Sequence, residues 1–310
     1  MNDTSALLDL LRLLERRGYR FVTPTPASHA RVVARAERKE PRDATCMLGW
    51  SLPFRDGLDP EVEELLRAAG AVDRHDEHRW RSTVRVSSLH DRLFLHSAYP
   101  TEAEDAVFFG PDSYRFADLI RAELIADPLE VGARVLDIGT GSGVGGVVTA
   151  LATDEAQVTM TDINPAALRL ARVNAAAAGI TPLLVESADL TAIVHPIDLA
   201  TANPPYIVDN SERAYRHGGG MHGCQVALDM ARMAVERLAP GGRLILYTGS
   251  AIVDGGDPLH AALATLASEA ESALRYRELD PDVFGEELSG PAYADVDRIA
   301  LVAAVVTRAA

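Results

Sequence analysis

Residues 135–146 read VLDIGTGSGVGG. The short apolar run Val135-Leu136-Asp137-Ile138 gives way to Gly139, Gly141 and Gly143 in the pattern D-x-G-x-G-x-G. Such a run predicts a buried strand, and the glycines predict a tight turn that brings backbone within contact distance of a ligand. Gly141, Gly143 and Gly146 also satisfy G-x-G-x-x-G, so the glycines alone leave a dinucleotide site and another nucleoside-type site both open. In either case the ligand belongs outside the carboxyl ends of an open α/β sheet.

The pattern around this stretch predicts that sheet. Predicted strands ARVLDIG, QVTMTDI, PLLVES, IDLATAN, GRLILYTG, ALRYREL and RIALVAAVV alternate with predicted helices DSYRFADLIRAELIA, a helix from Gly143, PAALRLARVNAAAAG, CQVALDMARMAVERL and PLHAALATLASEA. Val-, Ile- and Leu-rich strands between helices predict a parallel sheet covered on both faces. No helix is expected between the last two strands. The expected class is therefore α/β, a seven-stranded doubly wound Rossmann-like sheet with an antiparallel C-terminal hairpin.

A smaller α+β domain of winged-helix-like form is expected before it. Its predicted helices are SALLDLLRLLERRG, SHARVVARAERKE over 28–40, and DPEVEELLRAAGAV with Asp59 as N-cap and Pro60 in the first turn. STVRVSSL and DRLFLHSAY read as two strands around a short His90-Asp91 turn. The polar stretch HSAYPTEAEDA, 96–106, marks the boundary between residues 1–100, an accessory and substrate-recognition domain, and residues 101–310, the catalytic domain.

Charge is unevenly spread. Residues 1–100 hold 16 Lys/Arg against 15 Asp/Glu, while the remainder holds 14 against 30. An acidic second part repels phosphate backbones, which disfavours nucleic acid as a partner. No apolar run approaches the roughly 20 residues needed to span a bilayer, so no membrane association is expected and a cytoplasmic location follows. Cys46 and Cys224 are too few for a disulfide framework or a cysteine-rich zinc site. His75 and His78, in DRHDEHRW, sit among acids and arginines on a predicted turn and read as a solvated face. No metal is expected.

Two further strand ends carry chemistry. Asp162 ends the second strand 19 residues after Gly143, where a carboxylate accepts from ribose hydroxyls; Asn164, Pro165 and Gly179 frame the helix that follows. Asp189, after the third strand, is placed for an adenine amino group or is an ordinary loop aspartate. After the fourth strand comes Asn203-Pro204-Pro205-Tyr206. Prolines end a strand in any case, but an Asn carboxamide, a proline-held carbonyl and an aromatic ring also form a grip for a flat nitrogen.

VLDIGTGSG, TDINPAALRLARVNAAAAG and ANPPYI, in that order, resemble the class I S-adenosylmethionine-dependent methyltransferases, closest to the HemK/PrmC family of glutamine-amide N-methyltransferases. The resemblance covers residues 107 to 250. It implies S-adenosyl-L-methionine as cofactor, with Gly139, Thr140, Gly141 and Gly143 around its amino-acid part, Asp137 toward its ammonium, Asp162 and Ile163 at its ribose, and Asp189 near its adenine. It also implies Tyr114, in VFFGPDSYRF, closing over the cofactor. Asn203, which also borders the cofactor, Pro204, Pro205 and Tyr206 are the implied catalytic residues.

The chain departs from the family in two places: LILYTGSAIVDGGD stands where a glutamate-glycine pattern is usual, and a hairpin stands where a helical first domain is usual. The expected acceptor is therefore a small-molecule amine or amide, or a protein glutamine side chain. Cyclisation of the cofactor with release of methylthioadenosine, nucleic-acid base methylation and a non-catalytic binding module are the competing readings. The segment RAYRHGGGMHG, 213–223, is a candidate lid whose His217 and His222 reach the acceptor. No feature of the sequence assigns an oligomeric state.

Overall fold

The structure, a computed structural model, describes residues 3–38, 40–187, 193, 196–209, 213 and 215–310. The chain forms two compact units: residues 1–115 with 141–143 and 166–181, and residues 116–140, 144–165 and 182–310.

In the first unit, helix α1 (Asp3–Arg16) buries Leu7, Leu10, Leu11 and Leu14, a spacing that puts them on one helical face, and Gly18 at φ 66° ends it. Helix α2 (Pro26–Val33) begins earlier than expected because Thr25 caps it, accepting from the Ser28 N–H at 3.2 Å. It also stops short. After Val33 only a single 3-10 turn, Ala36–Arg38, remains of the helix expected to residue 40, since that segment offers alanines and charges but no large apolar side chain to bury. Helix α3 (Ala44–Leu48), capped by Asp43, was not anticipated, whereas α4 (Pro60–Ala68) has the Asp59 cap and leading proline read from the sequence.

Strands β1 (Val72–Arg74) and β2 (Trp80–Ser82) form a small antiparallel pair. Three-residue strands are too short to carry an alternation, so no periodicity marks them. Strands β3 (Val84–Leu89) and β4 (Arg92–Ser97) form the expected hairpin around His90-Asp91. His75 and His78 lie exposed in the turn between β1 and β2, and no cluster of metal-ligating side chains occurs among the described residues. Leucines of α1 and α4 and the inward residues of β3 and β4 share one core with Leu170 and Val173 of helix α7 (Pro165–Ala177).

The second unit holds the seven-stranded sheet: β5 (Arg134–Ile138), β6 (Gln157–Asp162), β7 (Leu183–Glu186), β8 (Ile197–Ala202), β9 (Leu238–Ile252), β10 (Ser272–Asp280) and β11 (Arg298–Arg308). Their order is β7-β6-β5-β8-β9-β11-β10. β11 alone runs against the rest, paired antiparallel with both β9 and β10. Strand β9 is longer than GRLILYTG, because β11 pairs along it from Arg243 to Ile252 and a register shift lets it begin at Leu238. The unit also contains most of α5 (Pro111–Ala126), α6 (Val144–Leu151), the short α8 (Gly220–Gly223), α9 (Gln225–Val235) and α10 (Pro258–Glu269). Strand order reverses between β5 and β8, which makes the crevice at their carboxyl ends the place for a ligand. No helix among the described residues is long and apolar enough to cross a membrane.

Candidate active site at the strand ends

Register brings three predicted groups to one edge. Ile138 is paired in parallel with Thr161 on one side and Ala202 on the other. The residues that follow, Gly139, Asp162 and Asn203, therefore leave neighbouring strands about 4.8 Å apart.

Gly139, Gly141 and Gly143 have φ of 62°, 54° and 85°, the left-handed region that side chains avoid. A Cβ at Gly143 would lie 3.2 Å from the Ala171 Cα, whereas a Cβ built on Gly141 would point into space with no atom within 4 Å. Thr140 N–H donates to the Thr161 carbonyl at 2.9 Å, which ties the loop to the end of β6. Asn174, in α7, donates to the Ser142 carbonyl at 2.8 Å and both accepts from and donates to the Leu95 backbone. The sequence reading missed it, because an asparagine among alanines carries no motif.

Asp137 is 1% exposed, and its carboxylate accepts from the Thr140 hydroxyl (2.5 Å), the Gly146 N–H (2.9 Å) and the Thr201 hydroxyl (2.8 Å). With these three bonds and so little surface, it holds the loop in place. Burial pushes its pKa up to about 6, opposed by those three hydrogen bonds and assisted by the Asp162 charge. Gly145, overlooked in the sequence, is required here: a Cβ would lie 2.1 Å from the Asp137 Oδ1.

Asp162 is half-buried and accepts from the Asn164 N–H at 2.9 Å, a local turn that fixes its carboxylate. Ile163 beside it is 59% exposed, a large apolar side chain in the open at this edge. Asp189 lies outside the described residues. Tyr114 belongs to the first unit, where its hydroxyl accepts from the Thr23 N–H at 2.9 Å.

Beyond β8, Asn203 is half-buried and Pro204 buried. Among the described residues, neither the Asn203 carboxamide nor the Pro204 carbonyl has a hydrogen-bond partner. Tyr206 is 7% exposed, its ring set edge-on to Phe284 at 5.7 Å and pressed against Gly249, where a Cβ would lie 2.2 Å from the Tyr206 Cδ2. The next residues are tied down: Val208 N–H donates to the Tyr293 hydroxyl (2.8 Å) and Gly218 N–H to the Ile207 carbonyl (2.8 Å).

The glycine-rich segment is built into this framework. His217 Nδ1 accepts from the Asp209 N–H at 3.2 Å, and His222 Nε2 faces the Asp295 carboxylate at 3.0 Å, so both histidines serve the loop itself. Asp209 accepts from the Arg213 guanidinium at 2.9 and 2.6 Å, with Arg216 at 3.5 Å. Arg213 foremost holds its pKa down at about 2. Arg216 also pairs with Glu287.

The model of the methyltransferase small domain matches residues 119–253. A release factor glutamine methyltransferase of Deinococcus radiodurans is 37% identical over 165 residues, 50% of this chain and 55% of that protein. One from Bradyrhizobium diazoefficiens is 33% identical over 254 residues, 74% of this chain and 83% of that protein. Against the first three such relatives the chain spans about half their length, 55%, 54% and 51%. The solved 16S rRNA N2 G1207 methyltransferase RsmC of T. thermophilus, in complex with AdoMet and guanosine, superposes with a TM-score of 0.46 at 15% identity, over 83% of this chain and 64% of that one. With a relative matched over most of its length, the chain belongs to the HemK/PrmC-like family of class I S-adenosylmethionine-dependent methyltransferases.

Proposed function

We propose that the protein transfers the methyl group of S-adenosyl-L-methionine to the carboxamide nitrogen of a protein glutamine side chain, in a release factor such as those named for its relatives. The observation that carries this reading is the pair of acceptors without partners among the described residues, the Asn203 carboxamide oxygen and the Pro204 carbonyl, at the strand end beside Gly139 and Asp162. A primary amide offers two N–H groups, and two acceptors match them.

The residues present fit the cofactor. The direction a side chain would take from Gly141 is open, Asp162 offers a carboxylate to ribose hydroxyls, and Ile163 offers an apolar surface. Gly139, Thr140, Gly141 and Gly143 then border the amino-acid part, Asp189 the adenine, and Tyr114 the outer face. When bound, the cofactor supplies a methyl carbon made electrophilic by its sulfonium.

The chain's own part is orientation. Asn203 and Pro204 accept both N–H bonds, which draws the planar nitrogen toward a tetrahedral shape and points its lone pair at the methyl carbon. Pro205 stiffens the turn and Tyr206 walls it. With the cofactor bound, transfer would replace one amide N–H by N–CH3, and that proton would pass to solvent.

Residues 1–100 are proposed to select the acceptor, and the acidic second part supports a protein rather than a nucleic acid in that place. A cytoplasmic location completes the proposal. Incubation with methyl-labelled S-adenosylmethionine and a release factor, followed by peptide mass spectrometry, tests it: label on a glutamine supports the reading, and methylthioadenosine without a methylated product contradicts it.

A further inference from the structure

A pocket of about 390 Å³ opens in the first unit, between the β1/β2 pair, the hairpin strands, the loop 99–106 and the start of α7. Arg81 and Arg169 both line it. The Nε of each is buried without a hydrogen-bond partner. Among the described residues Arg81 makes neither a hydrogen bond nor an ion pair, although Asp73 stands opposite it in the β1–β2 register. Arg169 has one ion pair, at 2.8 Å, to Asp3.

Arg169 keeps its Asp3 pair with the side chain 41% exposed, whereas the partly buried Arg81 side chain has no such pair among the described residues, and a cation partly withdrawn from water gains from an anionic partner. Tyr99, another wall of the pocket, packs on His29 with ring centroids 4.0 Å apart. Behind that ring Arg85, 4% exposed, donates to the Gly49 carbonyl at 2.9 Å and faces His29 Nδ1 at 3.4 Å. Arg85 is a buried cation, and among the described residues no carboxylate bonds to it. Burial first, then Arg85 and Arg81, hold the His29 pKa down at about 4, so this imidazole stays neutral.

We propose that this pocket binds a carboxylate-bearing ligand, held by Arg81 and Arg169. Two guanidinium groups lining one pocket suit a carboxylate, and the volume lies in the range of small-ligand sites. The exposed acids Asp73, Glu102 and Asp105 also line the pocket, and they repel a dianionic phosphate more than a monoanionic carboxylate. The carboxylate comes from a free small acid or from an acidic side chain of a bound peptide. The site is separate from the methyl-transfer residues, and its test does not use methyl transfer.

Isothermal titration calorimetry on the full chain at fixed ionic strength, with benzoate, an acidic peptide and inorganic phosphate as probes, decides it. The expected result is saturable binding of a carboxylate in preference to phosphate, weakened about tenfold or more in Arg81→Gln and Arg169→Gln. Affinity for S-adenosylhomocysteine should stay unchanged. Binding of benzoate assigns the source as a free acid; binding of the peptide alone assigns it as a protein side chain. If neither carboxylate binds, if phosphate binds better, or if folded Arg81→Gln binds equally well, the proposal fails. Should the variants not fold, hydrogen exchange on the wild type replaces them: carboxylate must protect residues 97–107, and protection elsewhere only overturns the assignment.

Discussion

Gly145 stands so close to the buried Asp137 that a side-chain carbon there would meet its Oδ1 at 2.1 Å and the Thr201 hydroxyl at 2.9 Å. The loop that borders the proposed cofactor site is thus fastened from beneath, through a carboxylate that itself has almost no surface. Gly145→Ala should force Asp137 off its three donors. A loss of ~1–3 kcal/mol of stability is expected from the overpacking, with weaker binding of S-adenosylhomocysteine; a thermal melt and a titration measure the two effects. Unchanged affinity in a folded variant would remove Asp137 from its holding role.

The same carboxylate sets a pH dependence. Its folded pKa of about 6 lies above the unfolded value of 3.8, so the folded state binds the proton more tightly. That contribution is full below pH 3.8 and is lost as pH rises through about 6, which amounts to roughly 3 kcal/mol for a fully buried group. Asp137→Asn should flatten the corresponding slope of melting temperature between pH 4 and 6. A slope identical to wild type places the titration on another group.

Tyr206 is fixed by what lies on either side of it. Gly249→Ala would place a methyl carbon 2.2 Å from its ring, and Phe284→Ala would remove the edge-on support at 5.7 Å. Both substitutions should lower methyl transfer about tenfold or more by displacing the Asn203-Pro204 turn, while affinity for S-adenosylhomocysteine is preserved. Rescue by Phe284→Leu, which restores apolar bulk, separates a positioning role from general unfolding.

Periodicity made the sheet legible in advance: Val135, Leu136 and Ile138, or Leu244 to Tyr247, are runs that only a doubly covered strand buries, and all are interior. The glycine loop, Asp162 and Asn203 were legible because strand ends are punctuated by residues with special backbone or hydrogen-bonding properties. What holds these groups was not. Thr201 reaches Asp137 through the β5–β8 register, Asn174 meets Ser142 and Leu95 by packing, and Tyr293 meets Val208 across 85 residues. None of those contacts has a spacing in the chain. The helix after Thr25 was overextended for the opposite reason, since helix propensity in Ala-Arg-Ala-Glu-Arg continues after the buried face has ended.

Asn203, as an acceptor aimed at the nitrogen that is methylated, is the residue on which the proposed transfer depends. Its most direct test is the rate of label transfer from methyl-labelled S-adenosylmethionine to a release factor glutamine by Asn203→Ala, beside the affinity of the same variant for S-adenosylhomocysteine. The expected result is a fall in rate of about a hundredfold or more, the loss typical of one preorganised polar group, with affinity unchanged. Transfer at the wild-type rate would contradict it.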